Sequence, residues 1–150
     1  MGCKATLPHL IAMCDLLDIL KPHFFPHYAC FQYGVGGYEL WLSRRCIQYV
    51  VTTDTLDDYE FLQEAKLCMD LPSLTPYLAP PDEYRDCILR FGSEHFNLVI
   101  VYIEPVDFTA SLPEIVTCIK PRGILVLPTR QQPDILLDWK ELGEGVYRKP

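Results

Sequence analysis

Phe31-Gln32-Tyr33-Gly34-Val35-Gly36-Gly37-Tyr38-Glu39-Leu40-Trp41-Leu42 reads as the end of a strand, a glycine turn and the start of a helix. Glycine has no Cβ and tolerates positive φ, so such a turn lets a ligand approach the backbone closely. The N–H groups that open the following helix face polar or anionic ligand atoms. A second strand-like run, Ile47 to Thr53, leads to Asp54, 20 residues beyond Gly34. In nucleotide-binding α/β folds an acid at that spacing accepts hydrogen bonds from ribose hydroxyls.

The same stretch argues against one cofactor. A dinucleotide fingerprint needs G-x-G-x-x-G. Gly34 and Gly36 are present, but Glu39 holds the third glycine position. A bulky acid there crowds the helix–strand contact and opposes a pyrophosphate. NAD is disfavoured, and an adenosyl ligand without phosphates fits better.

Gln32 to Leu42 resembles the first motif of class I S-adenosylmethionine-dependent methyltransferases, in the branch reading E-x-G-S-G-G-S-T-L-W-L. Phe96-Asn97-Leu98-Val99-Ile100-Val101 is similar to that family's F-D-L-V-x-V-D strand. Lys120-Pro121-Arg122-Gly123-Ile124-Leu125-Val126-Leu127 is similar to its K-P-G-G-x-L-V-L strand. With Asp54, these matches keep their order from about Tyr28 to Thr129, roughly two-thirds of the chain. The resemblance implies a Rossmann-like sheet, S-adenosylmethionine as cofactor and methyl transfer to a small molecule or protein group. It implies cofactor contacts from Gln32, Tyr33, Gly34, Gly36, Gly37, Thr53, Asp54 and Tyr102.

The departures are specific. In the family an acid in the first motif helps to hold the cofactor's amino-acid end; Gln32 keeps the hydrogen bonding and loses the charge. Val35 and Tyr38 replace small polar residues, and Tyr102 stands where an aspartate often follows the fourth strand. A second reading follows from them: a catalytically inactive methyltransferase-like module that works through a partner.

With 150 residues, 49% of them hydrophobic, the chain is expected to form one domain with a real core. No apolar run approaches the roughly 18 residues of a membrane span. Met1-Gly2-Cys3-Lys4 lacks a secretory h-region, and Leu7-Pro8 departs from an acylation signal. Seven scattered cysteines without a C-x-x-C pair fit reduced thiols in the cytoplasm. No metal site is expected, because Phe24-Phe25-Pro26 breaks any helix that would align His23 with His27. A net charge of −7 makes nucleic acid an unlikely partner, and Arg44-Arg45 reads as a solvated helix face.

Strands alternate with helices, which predicts an α/β doubly wound, mostly parallel sheet with helices on both faces. Residues 1–22 are expected to form an N-terminal helix, with Leu10, Met13, Cys14, Leu17 and Leu20 on one face. The Rossmann-like core is expected over 28–129. Helices are predicted over Tyr38–Arg45, Leu56–Met69 (Phe61, Leu62, Ala65, Cys68 and Met69 inward) and Asp82–Phe91, the last capped by Asp82. A short third strand near Leu74–Leu78 is confined to an edge by Pro76. Leu98–Ile103 and Arg122–Leu127 read as buried strands, and Ser111 with Glu114 as a capping box. Residues 130–150 are expected to give a short helix, Asp134–Leu142, and a strand, Gly145–Arg148. The fold is thus expected to be truncated at its C-terminal end, with an incomplete sheet edge open to a homodimer or partner protein.

Open parallel sheets bind ligands beyond the C-terminal ends of their strands. That rule collects Gln32 to Gly37, Thr53-Asp54, Tyr102 to Pro105 and Pro128-Thr129. Phe24, Phe25, Tyr38 and Tyr102 are candidate aromatic walls for a purine or a cationic sulfonium. Each has a plainer alternative. The glycines serve a tight turn, Asp54 caps a helix, and Phe24 and Phe25 fill core. Glu104, with Tyr102 a catalytic candidate as general base, is otherwise a solvated loop charge. Glu104-Pro105-Val106-Asp107-Phe108 is too poor a match to the N/D-P-P-Y/F motif of amino-group methyltransferases to assign that activity.

Overall fold

The strand ahead of the glycine turn is β1, Ala29–Tyr33, and all five of its residues are buried. Burial at successive positions is what a strand covered on both faces requires. The computed structural model describes residues 28–37, 39–127, 132–143 and 145–150. After β1 come α1 (Glu39–Ser43), β2 (Gln48–Thr53), α2 (Leu56–Cys68), β3 (Leu74–Leu78) and α3 (Tyr84–Leu89). Then follow β4 (Phe96–Val101), α4 (Phe108–Thr117), β5 (Ile119–Val126), β6 (Lys140–Gly143) and β7 (Val146–Arg148). The expected helix over residues 1–22, with Phe24, Phe25, His23 and His27, lies outside the described residues, as do Tyr38 and Pro128-Thr129.

The strands form one seven-stranded sheet in the order β3-β2-β1-β4-β5-β7-β6. β1 to β5 run parallel, and β7 lies antiparallel between β5 and β6. The fold is therefore α/β and mostly parallel, with an antiparallel edge. β3 is an edge strand, where Pro76 opposes Val51 and its missing N–H faces outward.

Side-chain alternation splits the core between the two faces. Cys30, Tyr49, Val51, Leu98, Ile100, Ile124 and Val126 pack on one face with Leu42 of α1 and Leu62 of α2. Phe31, Tyr33, Val50, Val99, Val101 and Leu125 pack on the other with Tyr84 and Ile88 of α3 and Leu112 and Ile115 of α4. A one-residue slip in any of these strands would exchange the two sets.

Several boundaries differ from the sequence reading, each for a local reason. The C-terminal shortening falls on the helix and spares the sheet. Asp134–Leu136 is a single 3-10 turn, and the chain then makes the β6–β7 hairpin. β7 pairs with β5 through Ile124↔Arg148 to Val126↔Val146, so the incomplete edge expected there is in fact closed. In α2 only Leu62 and Ala65 are buried; Phe61, Cys68 and Met69 face outward. That helix lies over the edge strands β2 and β3, which offer too narrow a surface to cover more than a thin stripe. Asp82 sits within a 3-10 turn, Pro81–Glu83, and does not cap α3. α4 begins at Phe108, so Ser111 is an interior residue whose hydroxyl donates back to the Asp107 and Phe108 carbonyls.

Tyr147 is fully buried on β7, and its hydroxyl has no hydrogen-bond partner among the described residues. Leaving a buried hydroxyl unpaired forfeits its hydration without return. Tyr147→Phe is therefore expected to raise stability by up to about 1 kcal/mol in urea unfolding. A loss of stability would show that the hydroxyl is satisfied.

Candidate functional site

The strand order reverses at β1, which has β2 on one side and β4 on the other. The C-terminal ends of these three strands meet, and ligands of open α/β sheets sit beyond such a point. Gly34 follows β1 directly, with φ of 83°, a left-handed conformation that favours glycine. Its N–H donates to the Thr52 carbonyl at 3.0 Å. Thr52 Oγ1 in turn donates to the Gln32 carbonyl at 2.7 Å, so the turn is tied to β2.

The turn closes around one carboxylate. Glu39 is fully buried at the start of α1. Its Oε1 accepts from the Gly36 N–H at 2.5 Å and from Gln32 Nε2 at 2.9 Å, and Oε2 accepts from the Gly37 N–H at 2.9 Å. Gln32 Nε2 also donates to the Gly34 carbonyl at 2.8 Å, and the Tyr49 hydroxyl donates to Gln32 Oε1. Burial first, and then the nearby Glu39 charge, hold the Tyr49 phenol well above its ordinary pKa, which keeps it a donor. Among the described residues no lysine, arginine or histidine forms an ion pair with Glu39.

Gly36 is needed for space. A Cβ there would overlap the ring of Tyr102, and one at Gly34 would come within 2.6 Å of Ile103. The segment after β4 is pinned in that position because Tyr102 and Ile103 both donate their N–H to the Tyr33 carbonyl, at 2.9 and 3.0 Å. Tyr102 is buried, with its ring lying along the glycine turn.

The structure thus brings Gln32, Gly34, Gly36, Gly37, Thr53, Asp54 and Tyr102 to one end of the sheet, and sets Tyr33 apart. The Tyr33 ring points to the opposite face, edge-on to Phe31, Tyr84 and Phe108. Successive strand residues alternate, so Gln32 and Tyr33 cannot face the same side. Thr53 is buried, with its hydroxyl on Thr55 at 3.3 Å. Asp54 is exposed, and Thr55 takes the N-cap position of α2, so the helix-cap reading of Asp54 does not hold. Glu104 is exposed and borders a cleft of about 440 Å³ with Thr109 and Leu112 of α4 and Gln132 to Ile135. No three metal-ligating side chains come together among the described residues.

The sequence reading treated Glu39 only as an obstacle and left Tyr49 aside. The signal for Glu39 was present: it lies three residues beyond Gly36, the spacing at which an acid reaches back to the N-cap N–H. Tyr49 carries no such local signal, because its contact with Gln32 spans β1 and β2.

By sequence, no family model and no curated protein matches the chain. By structure it resembles yhhF from Escherichia coli, a candidate methyltransferase, with a TM-score of 0.64 and 14% identity over 99% of this chain and 88% of that one. SMU.1697c, a candidate methyltransferase from Streptococcus mutans solved with S-adenosylhomocysteine, gives a TM-score of 0.59 and 12% identity, covering 76% of this chain and 69% of that chain. The fold is that of class I methyltransferases. That fold also serves the [4+2]-cyclase SpnF, with a TM-score of 0.56 and 16% identity over 74% of this chain. The chain spans 43% of SpnF's length. A class I methyltransferase fold does not by itself name a reaction.

Two substitutions test this geometry. Gly36→Ala forces the Tyr102 ring aside and is expected to cost about 1–3 kcal/mol in chemical unfolding; adding Tyr102→Ala should make the Gly36 change nearly silent. Gln32→Glu sets a second carboxylate against Glu39 and is expected to cost about 2–4 kcal/mol at neutral pH. Crowding raises the folded-state pKa of the pair, and a group so shifted loses stability as pH rises through that pKa. The deficit should therefore shrink as pH is lowered into the range above ordinary glutamate titration. A pH-independent deficit would refute the charge explanation.

Proposed function

We propose that this chain binds S-adenosylmethionine beyond the ends of β1, β2 and β4 and transfers its methyl group to a small molecule or a protein group, in a cytoplasmic setting. The observation that carries this reading is Asp54. It stands exposed at the end of β2, freed from helix capping by Thr55, one strand away from the glycine turn. A carboxylate so placed is an acceptor for ribose hydroxyls. Gly34, Gly36 and Gly37 form the turn against which the adenosyl group would lie, and Thr53, buried at the end of β2 with its hydroxyl on Thr55, precedes Asp54. Asp54 and the glycine turn suit the adenosine part of the cofactor once the Tyr102 ring moves aside; its amino-acid end meets the Glu39 network.

The bound cofactor supplies an activated methyl on a sulfonium. What remains for the protein is positioning and the exclusion of water. We assign the Tyr102 ring, which lies along the turn, the role of an aromatic face for the cationic sulfur, since aromatic faces attract cations. Glu104, exposed at the edge of the 440 Å³ cleft, is the candidate for taking the proton that an acceptor gives up.

Calorimetric titration tests this. S-adenosylmethionine and S-adenosylhomocysteine are expected to bind at micromolar affinity, and NAD not at all. Asp54→Ala should weaken adenosyl binding about tenfold, or about 1.4 kcal/mol. A folded sample that takes up neither adenosyl compound would overturn the proposal.

One observation favours a second reading, an inactive module that acts through a partner. Tyr102 and Glu39 already fill the space and the donors of the turn. On that reading wild type binds no adenosyl compound, whereas Tyr102→Ala acquires binding. A partner would be met at β3 or β6, the edge strands among the described residues, since β5 is paired.

A further inference from the structure

The glycine turn carries a buried negative charge where ligand-binding turns present open donors. The Gly36 and Gly37 N–H groups point at Glu39, and the Gly34 N–H points at β2. The Gln32 amide nitrogen spends both of its hydrogens, one on the Gly34 carbonyl and one on Glu39. None of these donors is left for a carboxylate arriving on a ligand. Among the described residues Glu39 accepts only from uncharged N–H groups, and no cation pairs with it. A buried carboxylate without a counter-charge repels an anion and favours a cation.

We infer that Glu39 determines ligand specificity at this turn, and that the turn selects an adenosyl ligand whose side arm carries an amine and no carboxylate. The inference rests on the adenosyl reading above and goes beyond it. The internal carboxylate occupies the donors that an amino-acid arm would need. Oε2 accepts a single close N–H, at 2.9 Å from Gly37, and keeps lone-pair capacity for an ammonium, which reaches this fully buried carboxylate once the side chains over the turn move aside. S-adenosylmethionine brings both groups, so its ammonium is welcomed and its carboxylate is opposed. Decarboxylated S-adenosylmethionine keeps the sulfonium and the amine and loses the opposed group. 5′-Methylthioadenosine lacks the arm altogether and reports on the adenosine site alone.

The three compounds are titrated into wild-type protein and into Glu39→Gln and Glu39→Thr by calorimetry, with circular dichroism to confirm folding. In wild type, decarboxylated S-adenosylmethionine should bind at least tenfold more tightly than S-adenosylmethionine. Glu39→Thr shortens the side chain and bares the turn's donors, so S-adenosylmethionine should gain at least tenfold and the preference should reverse. Glu39→Gln keeps the size and removes the charge; if the threonine variant fails to fold, the preference in Glu39→Gln should still fall below threefold. 5′-Methylthioadenosine should bind all folded variants alike. If wild type binds 5′-methylthioadenosine but prefers the carboxylate-bearing compound, or if Glu39→Gln leaves the preference unchanged, this inference fails while the adenosyl reading stands. If no adenosyl compound binds any folded variant, the adenosyl reading fails and takes this inference with it.

Discussion

The carboxylate of Glu39 is the constraint on which the glycine turn depends. It gathers the N–H groups of Gly36 and Gly37 and the amide of Gln32 around one buried charge. Backbone donors buried without a partner are costly, so the turn needs an acceptor at this point. A ligand can be that acceptor; here the chain supplies its own. The choice propagates through the neighbouring residues. With an acid at 39, residue 32 must be an uncharged donor, and glutamine meets that need. Its carbonyl oxygen then needs a donor, and the buried Tyr49 hydroxyl on β2 provides one.

The second constraint is steric. The end of β4 is stitched to the end of β1 by two N–H groups on the Tyr33 carbonyl, which sets Tyr102 over Gly36 and Ile103 against Gly34. The glycines are therefore explained twice, by backbone conformation at Gly34 and by close packing at Gly36. Both explanations are internal to the chain. A ligand lying against this turn would need the Tyr102 ring to give way while the backbone after β4 stays held on the Tyr33 carbonyl.

Much of the fold was legible in the sequence because strong local signals agreed with the tertiary outcome. Apolar runs marked β1, β2, β4 and β5, and Pro76 marked β3 as an edge. The misplaced helix ends had a common cause. Asp82 and Ser111 are good cap formers by residue type, but the chain entered each helix through another residue. Phe61, Cys68 and Met69 follow helical periodicity, yet the sheet beneath α2 is too narrow to cover them. The C-terminal hairpin was missed because Lys140–Gly143 is a short, half-exposed strand without an apolar run. Its partner β7 and the open flank of β5 make it a strand.

By itself the sequence determined the α/β class, the glycine turn after the first strand and the acid at the end of the second. Composition, alternation and spacing are local properties, and these features are written locally. Only the tertiary structure decided that Tyr33 turns away from the turn, that Asp54 is not a helix cap, and that Glu39 fills the turn it was expected only to crowd. Those outcomes depend on which face each side chain takes and on what lies across the sheet. Contacts between residues 17 positions apart, as between Gln32 and Tyr49, leave no periodic trace in a single chain.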